Sequence, residues 1–84
     1  MNKNSTTFDV LEEEIKKLAP GRAVSPATSV TRDLGLDSLA VMNFIMVLED
    51  RFDISIPMDM IAEIETLKEL EKVIETLKVE QDGA

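Results

Sequence analysis

The chain is 84 residues long and 44% hydrophobic, and its only aromatics are three Phe, so it has material for one domain with a small aliphatic core. Seventeen acidic residues against nine basic ones give a formal net charge of −8, which repels phosphate backbones and excludes nucleic acid as an expected partner. Cysteine and histidine are absent, which removes disulfides, thiol nucleophiles, Ser-His triads and the common zinc ligands.

Met1 to Thr7 has no apolar core of a secretory signal and no glycine at position 2 for myristoylation, so a cytoplasmic protein is expected. Phe8, Leu11, Ile15 and Leu18 recur at spacings of three, four and three, which predicts a helix over 7–19. Thr7 is the expected N-cap, Asp9 suits the positive end, Lys16 and Lys17 suit the negative end, and Pro20-Gly21 stops the helix. Residues 20–37 hold Pro20, Gly21, Pro26 and Gly35 without a sustained period. A loop this long in a small domain must be anchored, and Val24, Val30, Leu34 and Leu36 are the expected anchors of a crossing between roughly parallel helices.

A second helix is predicted over 38–52, with Val41, Met42, Ile45, Leu48 and Phe52 as its core stripe. It is hydrophobic most of the way round, so Leu39, Ala40 and Met46 are expected near the surface. Its length and its Glu49-Asp50-Arg51 end argue against crossing a bilayer. Ile54-Ser55-Ile56 ahead of Pro57 predicts an extended loop, and a short third helix follows over 58–64. Thr66-Leu67-Lys68-Glu69 has capping-box spacing and opens an amphipathic helix over 67–78 carrying Leu67, Leu70, Val73, Ile74 and Leu77. The tail from Val79 to Ala84 is expected to fray. The expected fold is all-α: a small four-helix bundle, monomeric, one domain over 1–84 with flexible termini. It has three longer helices, one short third helix and a long loop between the first two.

Chemistry concentrates in Asp33-Leu34-Gly35-Leu36-Asp37-Ser38-Leu39, which sets a serine hydroxyl where a glycine-containing loop meets an apolar helix. A phosphate ester there would sit beside backbone N–H groups that lack intrahelical partners and near the positive end of the helix dipole. Simple helix capping by Ser38 or Asp37 explains the same residues. Two unit charges about 6 Å apart in water repel by about 0.7 kcal/mol, so a site built only to hold phosphate would avoid Asp37. The carboxylate fits better as a group that a modifying enzyme or its metal ion recognises, or as the N-cap.

Leu34-Gly35-Leu36-Asp37-Ser38-Leu39 resembles the Leu-Gly-x-Asp-Ser-Leu signature of acyl carrier proteins, the phosphopantetheine-dependent carriers. The stretch from Val47 to Pro57, with its acidic helix end, Phe52 and Ile56-Pro57, is similar to the family at the family's spacing. The resemblance implies that a phosphopantetheinyl transferase attaches 4′-phosphopantetheine from coenzyme A to Ser38. It also implies that the arm's thiol carries acyl thioesters in fatty-acid or polyketide-like biosynthesis, so that Ser38 is an attachment point and the chain is no enzyme. By position, Asp37, Leu39, Met46, Glu49, Asp50 and Ile56 match family contact positions: Glu49 and Asp50 for basic patches on acyl-loading and acyl-processing enzymes, Leu39, Met46 and Ile56 for apolar contact. Ala40 and Asn43 stand where fatty-acid members commonly carry acidic residues, and Met58-Asp59-Met60-Ile61 is less acidic than their third helix. A specialised carrier is therefore expected, not the housekeeping one.

Val41, Met42, Phe44, Ile45, Ile64, Leu67 and Leu70 are candidates to line a space for the acyl chain, or to form a solid core. An aminoacyl or peptidyl carrier uses the same attachment chemistry. An unmodified acidic helical adaptor is the alternative of another class, and carboxylates such as Asp50 and Asp53 make no enzyme without a cleft.

Overall fold

The computed structural model describes residues 6–82. Four helices follow in order: α1 (Thr7–Leu18), α2 (Ser38–Phe52), α3 (Met58–Glu63) and α4 (Leu67–Asp82). No strand occurs among the described residues; the one β-type pairing is an isolated antiparallel bridge between Ser29 and Thr66. No helix is long and apolar enough to cross a membrane among these residues.

The start of α1 differs from the expected one. Thr6 caps it: its hydroxyl accepts from the Asp9 N–H at 3.1 Å, and the Asp9 carboxylate accepts from the Thr6 N–H at 3.3 Å. Only Thr6 stands three residues before an acidic side chain able to answer it, so the reciprocal box falls there. Thr7 is thereby turned inward, buried, with its hydroxyl donating to Glu75 of α4. Leu18, the last residue of the apolar face, is 44% exposed at the helix end.

Leu11 and Ile15 of α1, Phe44, Ile45 and Leu48 of α2, and Leu67, Leu70, Ile74 and Leu77 of α4 form one buried cluster. Each such side chain contributes about 1.5–3 kcal/mol by leaving water. On α2 the buried stripe centres on Phe44, Ile45 and Leu48, while Val41, Met42 and Phe52 are only half-buried. The chain resolves the excess of apolar residues on α2 by keeping Phe44 inside and leaving Leu39, Met46 and Val47 outside.

Residues 19–37 are ordered by hydrogen bonds to the α3–α4 junction. The Val30 N–H donates to the Glu65 carbonyl (2.9 Å), Leu67 N–H to Thr28 (3.0 Å) and Lys68 N–H to Pro26 (2.9 Å). Val30 and Leu34 anchor the loop in the core, with Val24 and Leu36 partly buried against it. The Asp33 carboxylate accepts from the Ser29 N–H at 2.7 Å, closing the turn inside the loop.

α3 ends one residue earlier than expected, and α4 runs on to Asp82 where fraying from Val79 was expected. Gln81 gives a reason for the longer helix, since its carboxamide bonds the Ser55 backbone. The rest of the termini expected to be flexible, residues 1–5, 83 and 84, lies outside the described residues. The capping box at α4 is present as expected: the Glu69 N–H donates to the Thr66 hydroxyl (3.3 Å), and the Glu69 carboxylate accepts from the Thr66 N–H (3.2 Å).

Candidate functional site

Gly35 has φ +68°, a left-handed conformation that favours glycine, and it turns the chain out of the loop toward α2. Leu36 is half-buried against the core, Asp37 sits in extended conformation as N-cap, and Ser38 is the first residue of the helix. The Asp37 carboxylate accepts from the Ala40 N–H at 2.8 Å through Oδ1, and its carbonyl accepts from the Val41 N–H at 2.9 Å. Capping is therefore done by Asp37. Ser38 is left free of that role. It is exposed, and no side chain among the described residues hydrogen-bonds its hydroxyl.

An esterified phosphate fits this position. The amides of Ser38 and Leu39 belong to the first helical turn and have no partner inside the helix. The helix dipole favours negative charge at the same end, where Asp37 is the N-cap and no residue of the first turn of α2 is itself acidic. The apolar residues beside it are open as well: Leu39 is 70% exposed and Met46 60%, with Asn43 and Val47 exposed between and beside them.

The far end of α2 is arranged differently. Asp50 is exposed. Glu49 is half-buried, and its carboxylate accepts from the Ile56 N–H at 2.8 Å. Ile56 is only 5% exposed and belongs to the core, which corrects its expected place among the surface contacts; alternation in Ile54-Ser55-Ile56 sends both isoleucines inward and Ser55 outward. Arg51 pairs with Glu13 at 2.9 Å and with the buried Glu14. Hydrogen bonds that Arg51 donates to Glu13 and then to Glu14 raise its already high pKa further. The carboxylate of Glu69 is held below its usual range by N–H groups of Glu65 and Thr66.

Between α2, α3 and α4 lies a cavity of about 170 Å³. Val41, Phe44, Ile45, Ile64 and Leu70, five of the seven candidates from the sequence, line it. Met42 and Leu67 do not; Leu67 is wholly in the core. Val30, Thr31, Ile61 and Ala62, which periodicity within one helix did not single out, complete the wall because the loop and α3 fold over it. Gln81 and the Arg51–Glu14 pair were likewise missed, since their partners lie far away in the chain. Among the described residues, no cluster of acidic side chains is arranged to hold a metal ion.

Comparison with known proteins agrees with the geometry. Residues 9–74 match the family described as "Phosphopantetheine attachment site". A "Probable acyl carrier protein" from Caulobacter vibrioides is 53% identical over 60 residues, covering 69% of this chain and 70% of that protein. An acyl carrier protein from an Exiguobacterium species is 40% identical over 79 residues, covering 90% and 98%. The solution structure of the acetyl actinorhodin acyl carrier protein from Streptomyces coelicolor superposes with a TM-score of 0.70 at 27% identity, covering 93% of this chain and 96% of that one. Members of this family carry a covalent 4′-phosphopantetheine and deal with phosphopantetheinyl transferases and acyl-processing enzymes as carriers, without being enzymes themselves. This chain belongs to the acyl carrier protein family.

Proposed function

We propose that this chain is a single, monomeric, cytoplasmic carrier domain that bears its phosphopantetheine arm on Ser38. It takes an acyl group as a thioester on that arm and presents it to enzymes of fatty-acid-like or polyketide-like synthesis. The observation that carries this is exposed Ser38 at the tip of α2, with Asp37 doing the capping and no described side chain hydrogen-bonded to the Ser38 hydroxyl. In loading, the Ser38 oxygen would form a bond to the phosphorus of the pantetheine phosphate while the pyrophosphate linkage of coenzyme A breaks, adenosine 3′,5′-bisphosphate leaving with the bond's electrons and the hydroxyl proton passing to a base of the transferase. Asp37 keeps Oδ2 free beside the cap bond, available to the transferase or its metal ion.

Docking would run mainly through apolar contact with Leu39, Met46 and Val47, bounded by the charges of Asp37 and Asp50 and aimed at basic patches on partner enzymes. Neutral Ala40 and Asn43 make this face less negative, which supports specialised partners. An acyl cargo is favoured over an aminoacyl one because the related proteins are acyl carriers, the Streptomyces one in acetyl form. The cavity between α2, α3 and α4 would shelter a segment of that cargo.

The test is loading with coenzyme A, magnesium and a promiscuous phosphopantetheinyl transferase, followed by intact mass. One added phosphopantetheine on the parent and none on Ser38→Ala is expected; an unchanged parent mass, or a gain on Ser38→Ala, overturns the proposal. A housekeeping fatty-acid synthase should elongate cargo on this carrier poorly, and efficient elongation would return it to the housekeeping role.

A further inference from the structure

The turn between α2 and α3 is tied from two sides by side chains that the attachment chemistry does not use. From α2, Glu49 holds three points: its carbonyl accepts from the N–H groups of Asp53 and Ile54, and its carboxylate from that of Ile56. From α4, the Gln81 carboxamide meets Ser55 as a neighbouring strand would. It accepts from the Ser55 N–H at 2.9 Å and donates to the Ser55 carbonyl at 3.0 Å. Between these ties Ile54 and Ile56 are driven into the core.

Helix α3 begins directly after the tied segment and has few other holds. It is six residues long, Pro57 gives it no side-chain cap, and none of its residues is fully buried. Too short to be stable alone, it depends on where residues 54–57 place its start. Its Ile61 and Ala62 form one wall of the 170 Å³ cavity.

We propose that Glu49 and Gln81 are positioning residues, a pair of latches on residues 54–56 that hold α3 closed over the cavity. This deepens the carrier proposal, on which the cavity's use for cargo rests. Glu49 then serves the fold at a place where a docking charge was expected. A hydrogen bond to a charged acceptor is the stronger kind, and Ile56 N–H is left without a partner in a half-buried setting when the carboxylate is removed. Opening would be local, because α1 and α4 pack directly on each other while α3 buries no residue fully.

Amide hydrogen exchange by NMR on the unloaded full chain tests this independently of loading. In Glu49→Ala and in Gln81→Ala, the Met60 and Ile61 amides, both bonded to the Pro57 carbonyl, should exchange about tenfold faster, with α1 amides unchanged. Glu49→Gln retains an acceptor oxygen without the charge and should bring Met60 and Ile61 back toward the parent rates. Acceleration confined to Ile56 and Ser55, equal acceleration in α1, or Glu49→Gln behaving like Glu49→Ala would each overturn the proposal. Loss of loading at Ser38 would instead strike the carrier proposal and leave this exchange pattern standing.

Discussion

The two ends of α2 are built on opposite plans. At its start the only side-chain tie among the described residues is the short-range Asp37 cap, while Ser38 and Leu39 are exposed. At its end every charged side chain but Asp50 is engaged: Glu49 with Ile56, Arg51 with Glu13 and Glu14. Beyond it Asp53 closes the helix in a left-handed conformation, φ 56°. One rigid helix thus fixes its position at one end and offers its chemistry at the other. Ser38 and Glu49 are eleven residues apart, about 16 Å along the axis at 1.5 Å per residue, so anchoring and attachment do not compete for the same atoms. Attachment of a swinging arm needs an open hydroxyl on a held base, and this division supplies both.

The strongest way to break that contrast compares two exposed serines, Ser38 at the start of α2 and Ser55 just past its end. Ser38→Ala should reduce phosphopantetheine loading to nothing, while Ser55→Ala should load like the parent; equal loss in both, read by intact mass, would erase the distinction. Next in size, Leu48→Ala at the tied end removes a fully buried side chain and should cost about 3 kcal/mol in urea unfolding. Asp37→Ala at the free end loses one cap and should cost about 1 kcal/mol by the same measurement. If the two costs came out alike, the free end would be more deeply tied than the contacts around it imply.

The smallest effect concerns a carboxylate that, like Glu49, serves backbone amides. Glu69 has its folded pKa lowered from 4.5 by the N–H groups of Glu65 and Thr66. A lowered folded pKa stabilises the fold above the unfolded value, and that stabilisation fades as pH falls through 4.5 toward the folded pKa. Glu69→Gln should therefore show a shallower loss of stability below pH 4.5 than the parent. Unfolding midpoints measured from neutral pH downward check this, and parallel acid limbs would contradict it.

Local patterns made much of this molecule readable from its residues. The bounds of α2, the Asp37–Ser38 junction, the Thr66–Glu69 box and the loop anchors Val30 and Leu34 all follow from side chains a few residues apart. What was not readable depends on long-range pairing. Nothing near Gln81 announces Ser55, and nothing near Glu49 distinguishes a docking charge from an acceptor for Ile56. Thr6 and Thr7 are equal candidates by type, and only the Asp9 spacing, with Glu75 waiting on α4, separates them. The inward turn of Ile56 was written in the alternation of residues 54–56, but its family position pointed to the surface.

The most direct measurement locates the added group. After enzymatic loading, proteolysis and fragment-ion mass spectrometry should put the phosphopantetheine on the peptide containing Leu36-Asp37-Ser38-Leu39, at Ser38 alone. An adduct on any other hydroxyl, or an unmodified peptide from fully folded protein, would contradict the assignment of that oxygen as the point of attachment.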